Sequence, residues 1–339
     1  MTASGARPYG EGDLVVVTGA AGFIGSHIVQ AALGRGCRVR ALVEPGVATV
    51  NLADVDAELV AVDVRDKAGV ADAVDGAQLV VHAAALYRFW APDPERFYDI
   101  NVGGTTNVIE AAAASGTRVV YTSTVGTIGL RTDGQLATED DHPHIEHLYG
   151  FYKRSKYAAE HEALRLAAQG ADVVLALPTF PVGPADRSPT PTGQTILRFL
   201  NGRMPAYVET TLNVAHVADV AEGHLLAAER GRTGRSYILG GENLTLHELL
   251  DALAAHTGLP SPKHRAPSWT ALAAGRVSTA VQGRLLHREP TVPLEAARMS
   301  TSRMSFDDSR ARTELGYTSR PAAEALADAA DWFQANGYA

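Results

Sequence analysis

The stretch VVVTGAAGFIGSHIV, residues 15–29, reads as a buried strand, a turn with Gly19, Gly22 and Gly25, and an apolar helix. Few folds accept that order. Glycines at such a junction permit a tight turn, let a pyrophosphate approach bare backbone, and bring helix and strand close together. The spacing Gly-x-x-Gly-x-x-Gly is one residue looser than the usual Gly-x-Gly-x-x-Gly pattern, but the strand, turn and helix follow one another as the chemistry needs. The expectation is a dinucleotide-binding turn, with Gly19, Gly22, Phe23, Ile24 and Gly25 beside the cofactor.

What surrounds the turn agrees with it. DLVVVT (13–18), CRVRALV (37–43), AELVAV (57–62), AQLVVHAAA (77–85), TRVVYTS (117–123) and ADVVLAL (171–177) are nearly continuous in apolar or β-branched residues. Such runs suit strands covered on both faces. Helical patterns fall between them, at about 23–35, 67–74, 94–115 and 148–169. That alternation predicts an α/β fold with a doubly wound parallel sheet over residues 13–177. Residues 1–12 read as a flexible tail. LPTFPVGPADRSPTPTG, from residue 177, is dense in proline and glycine and reads as an ordered loop or lid. Residues 178–339 are expected to form a smaller mixed α/β, mainly substrate-binding part, with some segments returning to the first and an amphipathic closing helix in PAAEALADAADWFQANG.

Composition narrows the class. A net charge of -8 leaves no basic footprint, so neither nucleic acid nor an anionic membrane surface is expected as a partner. No apolar run approaches the roughly 20 residues that span a bilayer. The lone Cys37 cannot form an internal disulfide and reads as a small buried hydrophobe. A soluble, cytoplasmic protein is expected. DDHPHIEH brings His142, His144 and His147 near acidic residues, but the run lies in a loop before a helix, so no metal site is expected.

Further positions fall into place around a dinucleotide. Glu44 ends the second strand nineteen residues beyond Gly25, where a carboxylate accepts hydrogen bonds from a ribose and repels a 2′-phosphate. NAD is therefore expected rather than NADP. Asp63 and Val64, after the third strand, are candidates for the adenine pocket. Ala83 and Ala84 end the fourth strand in small residues that let backbone approach a cofactor. Asn101 lies inside the 94–115 helix. In FYKRSKYAAE (151–160), Tyr152 and Lys156 stand four apart on a run of helix formers and share one face.

Taken together, the glycine turn, NVGGTTNVIEAA (101–112), YTSTVGTIG (121–129) and Tyr152-x-x-x-Lys156 resemble the extended short-chain dehydrogenase/reductase superfamily. YRFWAPDPERFYDINVGGT, PTPTGQTILRFLNGRMPAYVETTLNVAHVADVAEGHLLA and GRSYILGGENLTLHELL extend the resemblance over nearly the whole chain, toward hopanoid-associated sugar epimerases and dihydroflavonol-4-reductase-like proteins. The resemblance implies a Rossmann fold, NAD, a small-molecule substrate and a homodimer built on the helices at 94–115 and 148–169. It implies Tyr152 as acid/base, Lys156 as its activator and ribose contact, also cofactor-binding, and Thr124 as the group that polarises the substrate oxygen. A free tyrosine, with a pKa near 10, is a poor base at neutral pH, and a lysine beside it favours the phenolate. Strand alternation lets only one of Ser123 and Thr124 face the cleft, and Ser123 remains the alternative.

Departures from the relatives bear on the substrate. Val125 and Gly126 stand where the dehydratases carry an acidic pair. Leu212 and Phe180 stand where UDP-sugar epimerases carry an arginine and an asparagine for the diphosphate. The expected substrate pocket is thus partly aromatic, lined by Tyr87, Arg88, Phe89, Trp90, Ser123 and Phe180. The leading expectation is an NAD(H)-dependent oxidoreductase acting at a secondary alcohol or ketone carbon of a small molecule, with sugar-like substrates included. The alternatives are an epimerase that recycles a tightly held NAD and a non-catalytic dinucleotide sensor.

Overall fold

The computed structural model describes residues 8–144, 146 and 148–339. Residues 1–7 of the expected tail lie outside them. Of the rest of that tail, Tyr9 packs against a hydrophobic cluster and the Gly10 N–H donates to Asp13 at 3.0 Å.

The first half alternates as the sequence predicts. The elements are β1 (Leu14–Thr18), α1 (Phe23–Gly34), β2 (Arg38–Val43), β3 (Glu58–Ala61), α2 (Lys67–Val74) and β4 (Leu79–His82). Then come α3 (Arg96–Tyr98), a wide π-helical turn (Asp99–Gly103), α4 (Gly104–Ala114), β5 (Arg118–Thr122), α5 (Gly150–Ala168) and β6 (Val173–Pro178). The proline-rich stretch expected as a loop contains a short strand, β7 (Phe180–Val182), before α6 (Pro191–Leu200). Its backbone pairs with the later β9, a partner that local composition could not reveal. The chain continues through β8 (Ala206–Val208), β9 (Thr211–His216), α7 (Val217–Arg230), β10 (Ser236–Leu239), β11 (Glu242–Thr245) and α8 (Leu246–Thr257). It ends with β12 (His264–Ala266), α9 (Ser268–Ser278), α10 (Leu294–Met299) and α11 (Ala322–Ala335).

The main sheet has seven strands in the order β10-β6-β5-β4-β1-β2-β3, every neighbouring pair parallel. This is a Rossmann-like sheet with one late strand added at its edge. Alternation along β1 explains why it is buried on both faces. Val16 joins a cluster with Val70, Ile109, Ala159 and Leu166 of α2, α4 and α5. Val15 and Val17 join Ile28, Val29, Val220 and Leu225 of α1 and α7 on the other side. A third cluster, under β7, β9, α6, α8 and α11, forms the core of the later part.

Candidate active site

The turn after β1 is closely packed. Gly19 has φ +64°, and a Cβ on it would stand 2.7 Å from the Ala84 Cα. A Cβ on Gly25 would run into the Gly19 carbonyl oxygen. Gly22 is the N-cap of α1 and brings no capping side chain, and no acidic residue lies in the first turn. The helix therefore presents unblocked N–H groups and a positive dipole end above bare backbone. Bare backbone packed too closely for side chains, at an acid-free helix start, fits a pyrophosphate. Phe23 is buried with its ring edge-on to His27, and Ile24 packs on the adjoining core, so both also hold the turn in place. Asn51, which sequence reasoning missed, donates to the Ala21 and Ala185 carbonyls at 3.2 and 3.1 Å and ties the turn to the loop after β7.

At the far end of this cradle, Glu44 is exposed directly after β2. Asp63 accepts from the Arg65 backbone N–H at 2.9 Å and its Nε at 3.0 Å, and the guanidinium holds the carboxyl below its ordinary pKa. Val64 is buried against Gly104, and its carbonyl accepts from Asn107 at 3.0 Å. Its side chain belongs to the core.

The phenol and ammonium of α5 meet the ends of β4 and β5. Lys156, 2 % exposed, donates to the Tyr121 hydroxyl at 2.8 Å and the Thr122 carbonyl at 2.7 Å. Burial brings its pKa down to about 7, against the pull of Glu160. An ammonium has three donors, so these two bonds leave one for the cleft. Tyr152 is buried, which pushes its phenol up, while the Thr124 hydroxyl favours the phenolate. Thr124 is half-buried and accepts from the Gly126 N–H at 3.1 Å. Ser123 turns the other way. Its hydroxyl donates to Glu160, which also accepts from Thr127 at 2.8 Å. Ser123 is thereby removed from the expected substrate pocket, because extended backbone sends consecutive side chains to opposite sides.

Asn101 sits in the wide turn before α4 and is 1 % exposed. Its amide oxygen accepts from the Leu86 N–H at 2.7 Å, and its amide nitrogen donates to the Ser155 hydroxyl at 2.9 Å and the Leu86 carbonyl at 3.4 Å. With both amide donors taken, it acts by locking the loop after β4 to α5, a correction to its reading as a cofactor contact. His82 works nearby, its ring bonded to Thr18 at 2.7 Å and Thr105 at 3.0 Å. Burial, then the charge of Lys156, lowers its pKa to about 3 and keeps it neutral.

The loop that Asn101 anchors carries the aromatic side chains. The Tyr87 ring centroid lies 4.9 Å from that of Tyr152, and Phe89 lies 6.5 Å from it. Trp90 packs its indole under Gly283. Arg88 is exposed, 3.8 Å from Glu289. A long, strongly hydrated side chain in a loop reaches water more cheaply than a pocket of rings, which corrects its expected place. Phe180 is half-buried on the third core beside β9, packed there with Leu212.

The sequence profile of the NAD dependent epimerase/dehydratase family matches residues 15–240. The chain belongs to this family. A Synechocystis sp. protein provisionally named a dihydroflavonol 4-reductase is 45 % identical, over 96 % of this chain and 96 % of its own. Sterol demethylase protein B of Methylococcus capsulatus is 32 % identical over 95 % of this chain and 98 % of its own. A ketoreductase of Stigmatella aurantiaca, named for a farnesyl-dihydroquinoline oxide, is 30 % identical over 90 % and 91 %. Among solved structures, gox2253 matches with a TM-score of 0.85 at 43 % identity, over 96 % of this chain and 99 % of its own. UDP-glucose 4-epimerase of Thermus thermophilus, solved with NAD, matches with a TM-score of 0.74 at 26 % identity, over 95 % and 99 %.

One further group borders α5 of this epimerase/dehydratase family member. A cavity of about 390 Å³ lies beside Gly126 and Lys153, lined also by Arg131, His142, Arg298 and Glu295. His142 and His144 belong to its wall, and His147 lies outside the described residues. Among the described residues, no group of three or more His, Cys, Asp or Glu side chains converges as a metal site. Glu295 of α10 is 5 % exposed, and neither carboxyl oxygen has a hydrogen-bond partner among the described residues. It fills the space where a Cβ on Gly150, the first residue of α5, would go. Burial raises its pKa to about 8, against the charges of Lys153, Arg154 and Arg298. No local pattern marks it, because its neighbours come from α5, far earlier in the chain.

Proposed function

We propose that this protein is an NAD(H)-dependent oxidoreductase that transfers hydride at a secondary alcohol or ketone carbon of a small, largely apolar molecule. The observation that carries the reading is the joining of Tyr152, Thr124 and Lys156 with the Tyr87 and Phe89 rings at the mouth of the glycine cradle. A dinucleotide would lie along Gly19, Gly22 and Gly25, near Ala83 and Ala84, with its ribose toward Lys156. When bound, its nicotinamide supplies the hydride acceptor or donor. Tyr152 passes the hydroxyl proton to or from the substrate oxygen, and Thr124 donates a hydrogen bond to that oxygen as charge develops on it. Lys156, held in line by Tyr121 and the Thr122 carbonyl, favours the phenolate. Neutral His82 stiffens this end of the sheet without adding a second charge.

The rings around Tyr152, and Phe180 and Leu212 on the third core, favour an apolar substrate over a nucleotide diphosphate sugar. Relatives named for a sterol and for a farnesylated quinoline support the same direction. Exposed Glu44 beyond β2 supports NAD over NADP. Exposed Tyr98 and Phe151, flanking α4 and starting α5, support a homodimer through those helices. The family match to epimerases supports the second reading, oxidation and re-reduction of one carbon with NAD retained. Tyr152→Phe tests the shared chemistry. Turnover is expected to fall roughly 10²–10⁴-fold with dinucleotide binding intact. Unchanged turnover would remove the enzymatic assignment and favour a dinucleotide sensor.

A further inference from the structure

One face of the molecule runs against its overall acidity. From Lys263 to Arg288 the chain carries Lys263, Arg265, Arg276, Arg284 and Arg288 and no aspartate or glutamate, within a protein of net charge -8. This stretch includes β12 and α9 and ends on the wide helical turns that continue α9 to Leu285. Along the helix, Trp269, Ala273, Val277, Val281 and Leu285 recur at every fourth position, and all are exposed. Trp269, Val277 and Leu285 are 67 %, 64 % and 73 % exposed. The neighbouring positions Arg276, Ala280 and Arg284 are exposed as well, as is Arg288 in the turn just past the helix. At 1.5 Å per residue the apolar row is roughly 24 Å long.

The opposite face fastens the helix to the protein. Gly275 lies against Leu294 and Ala297 of α10, and Gly283 lies against the Trp90 indole. The Thr291, Val292 and Leu294 N–H groups donate to Gln282, Ser278 and Thr279. The helix thus forms a roof over the loop that carries Tyr87 and Phe89. A surface helix ordinarily turns polar side chains outward, and a contiguous row of large apolar ones marks a docking face. An apolar row edged by arginines is the pattern of a helix lying in the plane of a lipid interface.

We propose that α9 and its extension dock this protein on a bilayer containing anionic lipid. Trp269, Val277, Val281 and Leu285 enter the interface, and Arg276, Arg284 and Arg288 meet the headgroup phosphates. Net charge argues against attraction of the whole molecule to such a surface. Within a Debye length of about 8–10 Å, the local basic row decides. Delivery of substrate from the bilayer to the pocket beneath rests on the apolar substrate proposed above. Docking itself does not, and is tested with lipid alone.

The full chain would be sedimented with vesicles of phosphatidylcholine, alone or mixed with phosphatidylglycerol. Binding to the mixed vesicles is expected, weakening as salt rises. It should fall on the order of tenfold or more in Arg276→Glu/Arg284→Glu, and comparably in Val277→Ser/Leu285→Ser. All four positions are exposed, so unfolding temperatures should stay near that of the parent. Absence of binding to either vesicle, or binding unchanged in both variants, would overturn the proposal. So would a lipid-free oligomer that Val277→Ser/Leu285→Ser dissociates, which would assign the face to a second copy of the chain. Failure of docking alongside normal turnover of an apolar alcohol would leave the catalytic reading standing.

Discussion

At the scale of single residues, the groups around Tyr152 divide by what burial does to their protons. Lys156 is buried with two fixed acceptors and its pKa is lowered to about 7, whereas the Glu295 carboxyl oxygens are buried with no donor bonded to them among the described residues and its pKa is raised to about 8. An unfolded glutamate titrates near a pH of about 4.3. Between that value and about 8 the folded chain holds a proton on Glu295 that the unfolded chain has lost. Stability from this group is therefore full at low pH, declines as pH rises through that window, and is lost above it. Glu295→Gln cannot titrate. Its unfolding temperature should rise relative to the parent as pH goes from about 5 to about 9, and parallel curves would contradict the assignment.

Sequence spacing could place Tyr152 and Lys156 on one helical face, because that relation is local. It could not supply Tyr121, Glu160 as the acceptor for Ser123, or Glu295, since each depends on where α5 meets another element. Asn101 shows the same limit from the other side. Its position drew attention, but its hydrogen bonds to Leu86 and Ser155 give it a positioning role that no spacing predicts.

Among the elements, α1 offers a contrast within one helix. Gly25→Ala would press a methyl into the Gly19 carbonyl, whereas Gly34→Ala would meet open space. The first should cost about 1–3 kcal/mol and weaken dinucleotide binding at least tenfold. The second should leave binding unchanged and stabilise by about 0.5–1 kcal/mol. Chemical unfolding and NADH titration of both variants check this, and equal behaviour would show that the cradle does not depend on close packing. The doubly wound sheet was legible because its strands are buried on both faces and read as unbroken apolar runs. The short β7 was not, since its pairing partner lies in β9 and its own residues include a proline. The place of strand β10 beside β6 is a property of the assembled sheet.

At the scale of the whole molecule, a Rossmann-like sheet carries an aromatic cluster at the ends of its strands, and a helical roof is held over that cluster by α10 and Trp90. The reductase and epimerase readings proposed above both use Tyr152, Lys156 and Thr124, and differ in whether the dinucleotide leaves between half-reactions. The most direct measurement is to purify the protein without added nucleotide, denature it, and identify and quantify the dinucleotide released. A protein largely free of dinucleotide, which then binds NADH in preference to NADPH, is the expected result. Near-stoichiometric NAD surviving purification would contradict the exchangeable-cofactor reading in favour of the epimerase cycle, and tightly held NADP would contradict the role given to Glu44.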